Sequence, residues 1–100
     1  MTSQLPGDAV EHSSRADHQQ VIERVRWRSR RGLLELELLL LPFLQTGLTA
    51  LDEERLASYA RLLECDDWDI FEWLQERATP PAELAGIVAH VRRFLPQARA

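Results

Sequence analysis

The chain has no lysine: all twelve of its basic residues are arginine, a bias that points to GC-rich coding and weakly to a bacterial source. Its one cysteine, Cys65, has no internal partner for a disulfide, which fits a reducing compartment such as the bacterial cytoplasm. No apolar stretch follows Met1, and no secretory signal is expected. Long apolar runs are missing too. The leucine block from Leu36 to Leu44 follows directly on Glu35, contains Glu37 and Pro42, and falls short of the roughly 20 apolar residues that a membrane-spanning helix needs. His12, His18 and His90 have no ligand spacing, and Cys65 has no histidine near it in sequence. The chain therefore offers no metal site, no catalytic constellation and no glycine loop to cradle a phosphate, and it is expected not to be an enzyme.

What is present is leucine, arginine and acid. One hundred residues make one small domain, and a structured part of seventy-odd residues buries only about 60% of its unfolded surface, so its core must be dense in apolar side chains. Trp27, Trp68 and Trp73 are each expected to supply large buried area. The net charge of −4 is unevenly spread, with six arginines and four acids in residues 1–31 against six arginines and twelve acids in 32–100. The result is a basic edge on an acidic body.

The periodicity is helical throughout. Residues 1–16 lack an apolar period and read as a disordered N-terminal tail. A first helix is expected from about Asp17 to Arg31 on the thin stripe Val21, Ile22, Val25, with Trp27 off to one side. Leu33 to about Gln45 forms a second, in which Leu36, Leu39, Leu40 and Phe43 fall at i, i+3, i+4, i+7 and Leu38 and Leu41 widen the buried stripe. Pro42 should kink it, and Gly47 should cap its end. Asp52 caps a third helix with Leu56, Tyr59, Ala60 and Leu63 inward. Asp67 caps a fourth, Trp68 to about Glu76, with Ile70, Phe71, Trp73 and Leu74 inward. Thr79-Pro80-Pro81 opens a fifth, carrying Leu84, Ile87, Val88, Val91, Phe94 and Leu95 and ended by Pro96. The expected fold is all-α, a compact bundle of five short helices over residues 17–96, with 97–100 as a C-terminal tail.

The stretch from Arg24 to Glu35 holds the candidate site. Its arginines suit carboxylates or phosphates, and Gly32 lets a foreign backbone approach closely. The cluster has three readings: a solvated helix face, a protein-docking edge, or a nucleic-acid patch. Nucleic-acid binding is disfavoured because the domain is acidic. Gly32 taken alone reads more readily as a helix C-cap, and Glu35 as a surface partner of Arg31 worth about 0.2–0.5 kcal/mol. The acids Glu64, Asp66, Asp67 and Asp69 lack the glycine and distal glutamate of a calcium loop, and helix capping accounts for them better.

Two blocks carry a resemblance. Trp27-Arg28-Ser29-Arg30-Arg31-Gly32-Leu33-Leu34-Glu35, with Arg-Gly-x-x-Glu at its heart, and Leu62 to Leu74 further on, with its acids followed by Phe71-Glu72-Trp73-Leu74, together resemble the small FAD assembly factors of succinate dehydrogenase over about Glu23 to Phe94. The family often has methionine where Leu33 stands and aspartate where Glu37 stands, and does not usually have a tryptophan at position 68. The resemblance implies a chaperone-like factor that binds the flavoprotein subunit of succinate dehydrogenase, and in bacteria also fumarate reductase, and promotes covalent attachment of FAD. The flavin would belong to that partner and not be held tightly here. Arg28, Arg31, Gly32 and Glu35, helped by Asp66, Asp67 and Asp69, would form the docking surface. The alternatives are an antitoxin-like module acting through the acidic face and, from another class, a nucleic-acid module using the arginines.

Overall fold

The computed structural model describes the backbone of residues 6–95 and the side chains from residue 16 onward. Five α-helices follow one another: α1 Pro6–Arg28, α2 Leu34–Thr46, α3 Glu53–Leu62, α4 Asp67–Leu74 and α5 Ala82–Arg92, with a 3-10 turn, Leu48–Ala50, between α2 and α3. No strand occurs among the described residues, so the all-α fold expected from the sequence is the one formed.

Helix α1 begins at Pro6, well before the expected start near Asp17. Proline suits a first helical turn, and no glycine or proline follows Gly7 in the helix, so nothing in the backbone opposes the extension. Residues 1–5 of the expected tail, Pro96 and the expected tail 97–100 lie outside the described residues. The helix also stops at Arg28 rather than Arg31. The Ser29 hydroxyl donates to the Val25 carbonyl at 2.7 Å, and the chain then leaves the helix through Arg30–Leu33.

Helix α2 is the centre of the core. Leu36, Leu40 and Phe43 are fully buried among Ile22 and Val25 of α1, Leu56, Tyr59 and Leu62 of α3, Ile70 and Leu74 of α4, and Leu84, Ile87, Val88 and Val91 of α5. Each such side chain contributes about 1.5–3 kcal/mol by leaving water. The helix runs on through Pro42 to Thr46, whose hydroxyl donates to the Pro42 carbonyl at 2.9 Å. Two expectations fail here. Leu38 and Leu41 do not widen the buried stripe but stand 58% and 44% exposed, because the other four helices cover only one side of α2. Of the three tryptophans only Trp73 packs against the core, and it does so partly buried; Trp27 and Trp68 are 69% and 58% exposed.

Helix termini follow local chemistry. Asp52 caps α3 as expected, accepting from the Arg55 amide at 2.8 Å. The cap of α4 is Asp66 and not Asp67: the Asp66 carboxylate accepts from the Trp68 amide at 3.0 Å, which places Asp67 in the first turn. The α4 end is marked by Glu76 at φ 63, where the Arg77 amide reaches back to the Glu72 carbonyl at 2.9 Å. That closure usually employs glycine. Helix α5 ends at Arg92, and Phe94 and Leu95 pack from the turn beyond it.

Gly47 does stand at the C-cap of α2, but its φ of −107 is open to any residue, so conformation does not demand glycine there. Space does. A Cβ on Gly47 would lie 2.7 Å from both Phe43 Cδ1 and Phe94 Cζ. Gly47→Ala should therefore lower stability by about 1–3 kcal/mol, the usual cost of overpacking. Gly86, exposed in the middle of α5 with nothing within 4 Å of its added Cβ, gives the opposite case. Gly86→Ala should stabilise by up to about 1 kcal/mol through helix propensity. Thermal unfolding of the two variants checks both signs.

Candidate functional site: a docking edge held by Arg31

The chain between α1 and α2 is fixed by one side chain. Arg31 Nε donates to Asp67 Oδ1 at 2.7 Å, Nη1 to the Arg28 carbonyl at 2.8 Å, and Nη2 to the carbonyls of Leu63 at 2.9 Å and Cys65 at 3.2 Å. Those acceptors sit at the C-terminal end of α1, just past the C-terminal end of α3, and in the first turn of α4. Helix C-termini carry unpaired carbonyls and partial negative charge, and a guanidinium, planar with five donors, can serve several at once. The Arg31 side chain is 13% exposed and that of Asp67 26%. Arg31 is thus turned into the protein rather than out toward a partner, and no ion pair joins it to Glu35 among the described residues.

Arg26 is committed in a similar way, donating through Nη1 to the Leu44 carbonyl in the last turn of α2 at 3.0 Å. Beneath these arginines lies Ser29, a buried polar residue at 1% exposure. Its oxygen lies 2.6 Å from the Tyr59 hydroxyl. Since the one Ser29 proton goes to the Val25 carbonyl, Tyr59 donates and Ser29 accepts. Burial pushes the Tyr59 phenol up to about 12, against the smaller opposing pull of the Ser29 hydroxyl and the Arg31 and Arg26 charges. The sequence carried a signal for this pair: Ile22, Val25 and Ser29 fall at i, i+3, i+7, the buried stripe of α1.

What Arg31 holds in place is a depression of about 460 Å³ lined by Gly32, Leu33, Cys65, Asp66, Asp67 and Trp68. Two stretches more than thirty residues apart thereby form one surface. Of the expected docking residues, Gly32, Asp66 and Asp67 meet here, while Glu35 and Asp69 are exposed in the first turns of α2 and α4. Arg28 is half-buried in the last turn of α1, its carbonyl taken by Arg31. Trp68, which the sequence left without a role, stands at the rim with its ring edge-on to Phe71 at 5.7 Å. Gly32 is exposed, is not in the left-handed region, and has nothing within 4 Å of an added Cβ. The fold does not require a glycine there.

Burial and the nearby Asp69 and Glu64 charges push the Cys65 thiol up despite Arg31, which disfavours the thiolate. Among the described residues no group of three or more His, Cys, Asp and Glu could hold a metal ion; Asp66 caps α4 and Asp67 pairs with Arg31. Arg26 and Arg31 are turned inward, so fewer of the arginines among the described residues face solvent than the composition suggests.

Two outcomes are expected. Arg31→Ala should cost about 2–3 kcal/mol in chemical denaturation, since it strips charged hydrogen bonds from partly buried acceptors. Tyr59 is the sole tyrosine, so phenolate absorbance reads it alone. Its folded value of about 12 exceeds the ordinary value near 10, so the stability it lends is complete below about pH 10 and lost as pH rises toward 12. A native midpoint near 10 would contradict the buried Tyr59–Ser29 arrangement.

The family described as flavinator of succinate dehydrogenase, Sdh5, matches residues 23–95. The FAD assembly factor SdhE of Pseudomonas aeruginosa is 48% identical over 59 residues, covering 59% of this chain and 70% of that protein. The protein of the same name from Shewanella oneidensis is 43% identical over 72 residues, covering 71% of this chain and 88% of its own. That from Vibrio parahaemolyticus is 39% identical over 72 residues, covering 67% and 84%. On the family match, the chain belongs to the Sdh5 family, described as flavinator of succinate dehydrogenase.

Proposed function

We propose that this protein is a bacterial cytoplasmic assembly factor that docks on the flavoprotein subunit of succinate dehydrogenase, and on that of fumarate reductase, and promotes covalent attachment of FAD. The observation that carries the reading is Gly32, a glycine that the fold does not need, exposed at the edge of a rigidly held depression. Glycine in such a place serves something outside the chain: a partner backbone that must come close. Family membership supports the flavoprotein subunit as that partner. FAD belongs to the flavoprotein in this account, and the factor holds no flavin of its own. No helix of the described residues is long and apolar enough to cross a membrane.

The mechanism is selective binding. A flavoprotein fluctuates among conformations, and attachment needs the one in which its own nucleophile and the flavin are aligned. A factor that binds this conformation about 100-fold more tightly raises it from about 1% to about half of the population, a difference of about 2.7 kcal/mol. No group on the factor has to touch a reacting atom. Gly32 and Glu35 make the contact; Arg31 and Asp67 set the edge at the right place from behind.

Gly32→Arg should keep the helical circular dichroism spectrum, because the added side chain points into open space and φ is ordinary. It should nonetheless lose flavoprotein binding and covalent flavin, read as in-gel flavin fluorescence of the co-expressed subunit. Glu35→Ala should give a milder loss, removing a contact without adding a clash. Full flavin attachment by a folded Gly32→Arg protein would move the working surface elsewhere.

A further inference from the structure

Helix α2 is apolar on two sides, and the domain covers one of them. Leu36, Leu40 and Phe43 form the inner stripe at 0% exposure. Leu34, Leu38 and Leu41 form an outer stripe at i, i+4, i+7, and are 62%, 58% and 44% exposed. A helix apolar all round is normally buried all round. The outer stripe continues onto α1. Leu41 and Trp27 are walls of one groove of about 320 Å³, rimmed by Glu23, Arg26 and Arg30, with the Arg30 guanidinium 5.0 Å from the centre of the Trp27 ring. Together the four side chains expose on the order of a few hundred Å² of apolar surface, the range in which the largest patch on a small protein is often functional.

We infer that this ridge, Leu34–Leu38–Leu41–Trp27, is a second arm of the docking surface, covered in the complex by an apolar segment of the flavoprotein that carries carboxylates toward Arg24 and Arg30. The inference rests on the proposed function and extends the site that it describes. Continuity assigns the occupant: Leu34 lies between Gly32 and Glu35 in the chain, so the ridge starts at the docking edge and runs away from it along α2. Size agrees. A specific interface buries roughly 800 Å² per partner, more than a depression lined by six residues can supply. Charge agrees as well. Arg24 and Arg30 are exposed and form no ion pair among the described residues, and Arg30 already caps the aromatic end of the ridge. Tryptophan and arginine together are the usual anchors of such contacts.

The test uses the full chain and the purified flavoprotein subunit. Leu38→Glu and Leu41→Glu, singly and together, place charge on positions that the folded protein leaves in water, so thermal unfolding should barely move. Binding should weaken by about 30-fold or more, the size of a central interface position. Independently, a protein with Trp27 as its only tryptophan (Trp68→Phe, Trp73→Phe) should show a blue-shifted emission when the flavoprotein is added. Binding of the double glutamate variant within twofold of wild type, with Trp27 emission unmoved, would overturn the inference while leaving the Gly32 edge intact. Concentration-dependent dimers of the wild type that vanish in the same variant, again with binding unchanged, would assign the ridge to a second copy and also overturn it. Failure of the wild type itself to bind the flavoprotein would instead remove the proposed function on which the inference stands.

Discussion

A single guanidinium joins the ends of three helices in this domain. Arg31 draws together the C-terminal carbonyl of α1, those following α3, and a carboxylate in the first turn of α4. Each helix end would otherwise present unpaired polar groups near the surface of a small domain with little stability to spare. Their convergence on one planar cation fixes the loop from Arg30 to Leu33 against the Cys65–Trp68 corner. The depression bearing Gly32 and Trp68 exists because of that convergence.

The arginines of the N-terminal third therefore divide by role. Arg26 and Arg31 face helix-end carbonyls and belong to the architecture. Arg24 and Arg30 remain in solvent, and Arg30 lies over Trp27. A basic edge on an acidic body is thus less basic toward a partner than its composition suggests. What it offers instead is shape, in the form of a glycine, a tryptophan and an apolar stripe that the fold leaves uncovered. The proposed mode of action, favouring one conformation of a larger protein, calls for such a surface.

Much of the fold was legible in the sequence because it rests on local rules. The helical periods of α2, α3 and α5, the Asp52 cap and the inward set Ile70 and Leu74 all follow from spacing and capping chemistry. Arg31 reads from the sequence as a docking residue because its acceptors include main-chain carbonyls more than thirty positions away, which no spacing reveals. Asp67 reads as a cap for the same reason: its partner is Arg31, and Asp66 does the capping. Leu38 and Leu41 read as core from the sequence because apolar periodicity does not say which side of a helix its neighbours cover. Ser29 was readable from its register on the α1 stripe and was obscured by the arginines around it. The docking motif was visible as a resemblance; that Gly32 is free of any structural duty required coordinates.

Amide hydrogen exchange of the protein, alone and with the flavoprotein subunit, is the most direct measurement of whether the Arg31-held edge is the working surface. Slowed exchange on binding across residues 32–38 and 66–69, with α5 unchanged, is the result that this account predicts. Binding that protects α3 and α5 while leaving the Gly32 and Trp68 segments at their free rates would contradict it.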